Sequence, residues 1–216
     1  QIPKIIQTKI PPNRDPKIFE EELLKSFEKL QVNKIDLIAI HGINLPEHLD
    51  FAVREGGCID ILKKYQKQKL IGSVGFSTHG DVSLIESAIS TNLFDYVNLH
   101  WYFINQNNSK VIDLAKKFDL GVFIISPTDK GGHLHSPSTK MLELCRPLHP
   151  IVFNDLFCLS NKNVHTLSVG VAKETDFNLH LEAVSLIKES NQYLPIIINR
   201  LKQESINSLG LEWLQN

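Results

Sequence analysis

Residues 28–42 read Glu-Lys-Leu-Gln-Val-Asn-Lys-Ile-Asp-Leu-Ile-Ala-Ile-His-Gly, and the architecture of the chain follows from them. A helical pattern runs out at Leu30, Asn33 and Lys34 supply a turn, and Ile35 to Ile40 are almost all apolar. An apolar run bounded by turn residues predicts a strand buried on both faces, as in a parallel sheet. It ends on His41 and Gly42. A titratable side chain at the carboxyl end of such a strand stands where α/β enzymes place their chemistry. On position alone, a histidine that merely ends a strand is an equal alternative.

The pattern recurs on both sides of this stretch. Strands are expected at 4–10, 36–41, 73–77, 94–99, 121–125 and 164–169. Asp15-Pro16 opens a helix whose apolar face is read as Ile18, Leu23, Leu24, Phe27 and Leu30. A loop through Pro46 leads to a helix over 58–70, and further helices are expected at 81–92 and 109–118. Two short helices, near 139–145 and 151–159, fall in the segment 128–164, and two more, near 175–190 and 195–208, close the chain. Strand–helix alternation of this kind predicts parallel strands with right-handed crossovers. About six βα units fit in 216 residues, whereas a (β/α)8 barrel has eight strands in about 250. The expectation is one α/β domain over 1–216: a TIM-type barrel, incomplete at the N-terminus.

Composition narrows the function. Net charge is −1 with both signs interspersed, so nothing favours nucleic acid or an anionic membrane. No apolar run reaches transmembrane length and no signal peptide is read at the start. Cys58, Cys145 and Cys158 lack CxxC spacing, which points to thiols in a reducing, cytoplasmic setting. Neither GxGxxG nor GxxxxGK[ST] follows a strand.

Most of the expected strands end on a polar residue: Lys9, His41, Ser77, Asn98 and Ser126. On a barrel these would share one rim, as a reaction centre requires. The segments Ile-Ile-Gln-Thr-Lys (5–9), 30–42, Lys-Leu-Ile-Gly-Ser-Val-Gly-Phe-Ser (69–77), Tyr-Val-Asn (96–98) and Ser-Pro-Thr-Asp-Lys-Gly-Gly (126–132) follow in order. Together they resemble the aldo/keto reductase family from its third strand to its eighth.

The resemblance implies reduction of a small-molecule carbonyl with NADPH or NADH. It matches Lys9 and His41 to the catalytic Lys and His of the family's Asp-Tyr-Lys-His tetrad. The Asp and Tyr belong to strands that precede the matched region, and Tyr65, Tyr96, Tyr102 and Tyr193 all lie downstream. The 216 residues are therefore expected to be inactive alone. An ammonium favours a neighbouring phenolate, and a histidine orients a carbonyl oxygen for hydride attack. Ser77 and Asn98 match residues that hold the nicotinamide carboxamide, and Thr78 replaces the usual Asn. Ser126, Thr128, Asp129 and Lys130 match the pyrophosphate loop. Gly170 and Lys173 match the adenosine end, with Asp176 where many members have Arg or Gln and His180 where an Asn meets adenine. The strand-tip set and Lys173 lead to the expectation that NADPH binds at least as well as NADH; which of the two is preferred is otherwise open, as is the oligomeric state.

Two other readings compete. Nine histidines invite a metal-dependent hydrolase, with His41, His79, His100, His133 and His135 as candidate ligands, although no acidic residue tips a strand. The absent half of the tetrad would also suit a non-catalytic barrel domain.

Overall fold

The computed structural model describes residues 5–210. Six strands, β1 (Gln7–Ile10), β2 (Ile35–His41), β3 (Ile71–Ser77), β4 (Tyr96–Leu99), β5 (Gly121–Ile125) and β6 (Thr166–Ser168), lie side by side in chain order. Helices α1 (Pro16–Leu30), α2 (Pro46–Val53), α3 (Cys58–Lys67), α4 (Val82–Ser90) and α5 (Ser109–Lys117) separate the first five. Helices α6 (Thr139–Cys145) and α7 (Pro150–Ser160) precede β6, and α8 (Phe177–Leu186) and α9 (Ser190–Leu209) follow it. This is the α/β pattern of a (β/α)8 barrel, present as six βα units. The described residues group into two compact units, one of 5–99 with 107–123 and one of 100–106 with 124–210.

In the first unit β1 to β4 pair in parallel. Ile35, Ile38, Ala39 and Ile40 of β2 are buried, as the apolar run predicts. Each fully buried isoleucine contributes about 1.5–3 kcal/mol over an exposed one. Gln7 Nε2 donates to Asn98 Oδ1 at 3.3 Å, from β1 to β4. Three strand spacings on a flat sheet span roughly 14 Å, beyond a glutamine's reach, so these four strands curl like a barrel wall. Gly75 permits that curl to be filled, because a Cβ there would lie 2.6 Å from the Tyr96 ring.

Helix starts follow local chemistry. The Asp15 carboxylate accepts from Lys17 N and that of Asp81 from Leu84 N, the expected N-caps. The face of α1 differs from expectation: Phe19 and Leu23 are buried, while Ile18, Leu24 and Leu30 are exposed. Two apolar stripes were available, and contact with the rest of the unit chose the one through Phe19. Helix α2 lies where a loop was expected; Pro46 opens it at a first-turn position that needs no N–H. The expected strand 4–10 begins on Lys4, outside the described residues, and the observed strand is Gln7–Ile10.

The second unit is built on α7, where Ile151, Val152, Phe153, Leu156 and Cys158 are all buried. A helix apolar on all sides belongs in a core. Phe103, Leu148, Ala183, Leu194, Ile197 and Leu201 pack in the same cluster. The two buried polar residues of α7 are partnered. Asn154 accepts from Phe103 N at 3.1 Å and donates to Pro127 O, and Asp155 pairs with His180. All three cysteines are free and buried.

Candidate active site

The strand register of the first unit aligns the candidate residues. His41 pairs with Ser77, and Ser77 with Asn98, so three strand tips form one row. Lys9 pairs with Ala39, which is level with Gly75 and Tyr96, two residues back along the strands. Side chains two apart share a face, and paired residues share it too. Lys9, His41, Ser77 and Asn98 therefore lie on the same face of the sheet.

Their environments differ. Burial lowers the pKa of the Lys9 ammonium, and among the described residues Lys9 is in none of the ion pairs. His41 stands at the exposed end of β2; desolvation first, then the charges of Lys9 and His79, lower its pKa below 6.5. The ring is then neutral at pH 7 and has one N–H to donate.

Ser77 and Asn98 are buried, and their polar atoms are partly engaged. Gly42 N donates to Ser77 Oγ at 3.1 Å. Asn98 accepts from Gln7 and donates to Phe76 O at 3.3 Å, which leaves one amide hydrogen and one lone pair. Gln7 covers this amide, and sequence reasoning missed it; its place two residues before Lys9 on one strand was the available signal. Thr78 works between loops: its hydroxyl donates to Ile43 O at 2.7 Å and accepts from Gly80 N at 2.9 Å.

The second unit holds a cavity of about 670 Å³ lined by Ser126, Thr128, Asp129, Gly131, Gly132 and His135 on one stretch. Gly170, Val171, Ala172, Lys173 and Asp176 line it on the other. The first stretch is sharply kinked: Ser126, Asp129, Gly131 and Gly132 all have positive φ. Pro127, between two lining residues, is held by the Asn154 amide. Asn154 is thus a positioning residue for this loop, signalled only by a polar Asn-Asp pair in an apolar helix. Hydroxyls, kinked backbone and a lysine suit a phosphate-bearing ligand, and the volume suits part of a nucleotide.

Two expected contacts do not reach this cavity. Lys130 is exposed and not among the lining residues. His180 is buried and turned onto α7, its Nδ1 donating to Asp155 Oδ2 at 2.5 Å. Burial pushes the Asp155 carboxyl up, against the opposing pull of His180. Asp176 faces the cavity; its Oδ2 accepts from Ala172 N at 2.9 Å and Lys173 N at 3.2 Å.

The histidines do not gather. Among the described residues no group of three or more His, Cys, Asp or Glu is placed to hold a metal ion. Among the same residues no helix is long and apolar enough to cross a membrane.

Comparison with known proteins agrees with the fold. An aldo-keto reductase, AKR11C1 from Bacillus halodurans in its holo form, superposes with a TM-score of 0.71 at 18% identity. The match covers 89% of this chain and 72% of that one. Aldose reductase from Giardia lamblia superposes at 0.68 and 13% identity, covering 90% and 71%. The glycerol dehydrogenase AKR11B4 from Gluconobacter oxydans gives 0.65 and 15%, covering 87% and 65%. These likenesses show the fold. No curated protein matches the chain. The sequence pattern of the Aldo/keto reductase family matches residues 4–213, and the chain belongs to that family of carbonyl oxidoreductases.

Proposed function

We propose that the chain is the greater part of an NAD(P)H-dependent reductase of aldehydes or ketones, with Lys9 and His41 as its share of the catalytic residues. The observation that carries this reading is the row His41–Ser77–Asn98 with Lys9 on the same face. A bound nicotinamide would supply the hydride. The neutral His41 ring donates to the substrate carbonyl oxygen and fixes its direction. The Lys9 ammonium favours the ionised form of a nearby acid, which is what a phenol must reach to give up a proton near neutral pH.

Ser77 and Asn98 retain donor and acceptor capacity for a carboxamide, and Thr78 holds the loops that flank them. Ser126 and Thr128 are assigned to the pyrophosphate, and Gly170 and Lys173 to the adenosine end. Lys130 and His180, as placed, are not assigned direct contacts. The domain is read as one partial barrel over 1–216, working in the cytoplasm. No aspartate or tyrosine of the 216 residues takes the tetrad's Asp and Tyr positions, so these residues alone are assigned no turnover.

The buried, Gln7-covered amide of Asn98 favours a second reading, a non-catalytic domain on the same scaffold. Absorbance at the nicotinamide band separates the two. The full-length gene product, given NADPH or NADH and a panel of aldehydes and ketones, should consume nucleotide in a carbonyl-dependent way. Consumption of neither nucleotide with any carbonyl would leave the non-catalytic reading standing.

A further inference from the structure

We propose that Tyr96 is a positioning residue for the strand-tip site: its hydroxyl takes over the Gln7 amide when a ligand needs Asn98. The inference rests on the reading of Asn98 as a carboxamide contact. No part of Asn98 is exposed, whereas Gln7 is half-buried and bonds across the sheet to it. A ligand therefore reaches the Asn98 amide only once Gln7 has moved. Both hydrogen bonds of that amide, from Gln7 Nε2 and to Phe76 O, are 3.3 Å long. A good N–H···O bond is about 2.9–3.0 Å, so neither is tight. The bond to Gln7 is the replaceable one, because it joins two side chains.

Tyr96 supplies the place to which Gln7 moves. It stands two residues before Asn98 on β4, so both side chains lie on one face. Its ring is fixed in place. It stacks on Phe123 with 4.9 Å between centroids, and a Cβ on Gly75 would stand 2.6 Å from it. The hydroxyl is buried and, among the described residues, has no hydrogen-bond partner. Leaving such a group unpaired is costly, so a partner arriving there is favoured. Gln7 is the neighbour at hand. Burial pushes the Tyr96 pKa up, and the Gln7 side chain pulls against it, as a donor near the phenol oxygen does. Gln7 Nε2 carries two hydrogens, and a phenol oxygen accepts. Turning the Gln7 amide exchanges the bond to Asn98 Oδ1 for one to Tyr96 Oη. The number of hydrogen bonds is kept, the orphaned hydroxyl is satisfied, and Asn98 Oδ1 is freed for a carboxamide N–H.

Fluorescence or calorimetric titration of the full-length gene product tests this without relying on turnover. The ligands are NADH, NADPH and ADP-ribose, which has no carboxamide. Tyr96→Phe should weaken dinucleotide binding roughly two- to tenfold, the worth of one hydrogen bond, and leave ADP-ribose binding unchanged. Its melting temperature should not fall, because the lost hydroxyl has no partner without ligand. In a Gln7→Leu background the same substitution should change nothing, since no cover then needs a second partner. Gln7→Ala serves if the leucine variant does not fold. Unchanged dinucleotide affinity in Tyr96→Phe would overturn the inference while leaving the nucleotide site intact. Equal losses in both backgrounds, or an equal loss for ADP-ribose, would make Tyr96 merely structural and overturn it too. Binding of neither dinucleotide by wild type would overturn the nicotinamide reading itself, and this inference with it.

Discussion

Gln7 and Asn98 are 91 residues apart in sequence, yet the Gln7 amide donates to Asn98 Oδ1 at 3.3 Å. The bond joins the first and fourth strands, so it records the curvature of the sheet as well as closing over a buried amide. It also places a β1 side chain directly beside the row of strand tips.

Gln7→Leu should lower stability by about 1–3 kcal/mol, because it leaves a buried carbonyl oxygen with one hydrogen bond fewer. Urea denaturation measures the loss. If Gln7 is a cover over Asn98, the same variant should change nucleotide affinity, and an unchanged affinity would make the contact purely architectural.

Lys9 is expected to trade stability for function. Its ammonium is partly desolvated and, among the described residues, in none of the ion pairs. Lys9→Met keeps the packing of the stem and removes the charge, so it should stabilise the fold by about 0.5–1 kcal/mol. In the full-length gene product it should abolish carbonyl reduction. A lower melting temperature in Lys9→Met would show that the charge is favourably held.

The depressed pKa of His41 sets a sign for pH dependence. The unfolded chain takes up this proton near pH 6.5, and the folded chain only at lower pH. The contribution of His41 to stability is full above about pH 6.5 and is lost as the pH falls towards its folded value. His41→Gln should therefore lose less stability than wild type between pH 7.5 and 5.5. Equal losses in the two proteins would mean that the ring titrates normally.

Gly75 is required by its neighbour. A Cβ there would stand 2.5 Å from Tyr96 O and 2.6 Å from the ring. Gly75→Ala should cost about 1–3 kcal/mol through overpacking, read from the urea midpoint. Gly170→Ala, at a glycine with open space around it and no positive φ, is the control for the effect of the added methyl on the backbone alone.

The pair Asp155–His180 ties α8 to α7 inside the second unit. Asp155→Ala should destabilise by about 3–5 kcal/mol, the usual result of orphaning a buried partner. The double variant with His180→Ala should recover part of that loss, because no polar group is then left stranded. Additive losses would argue that the two side chains act separately.

The short-range code carried most of the elements. The run 35–40, apolar but for Asp36, is a strand because five apolar residues bounded by turns must be buried, and Asp15-Pro16 starts a helix because both residues satisfy its first turn. The ordered tips Lys9, His41, Ser77 and Asn98 were likewise legible, since strand ends are marked by turn residues beside them. The tertiary structure decided what those patterns leave degenerate. Both apolar stripes of α1 satisfy helical periodicity, and only packing within the unit selects Phe19 over Ile18. The side chain of His180 turns inward because Asp155, 25 residues earlier, offers a carboxylate in the core. Asp176 turns its carboxylate onto the N–H groups of Ala172 and Lys173 because the chain bends back there. Hydrogen bonds and burial depend on distance in space, and residues brought together by a curled sheet or a packed helix pair leave no periodic trace along the chain.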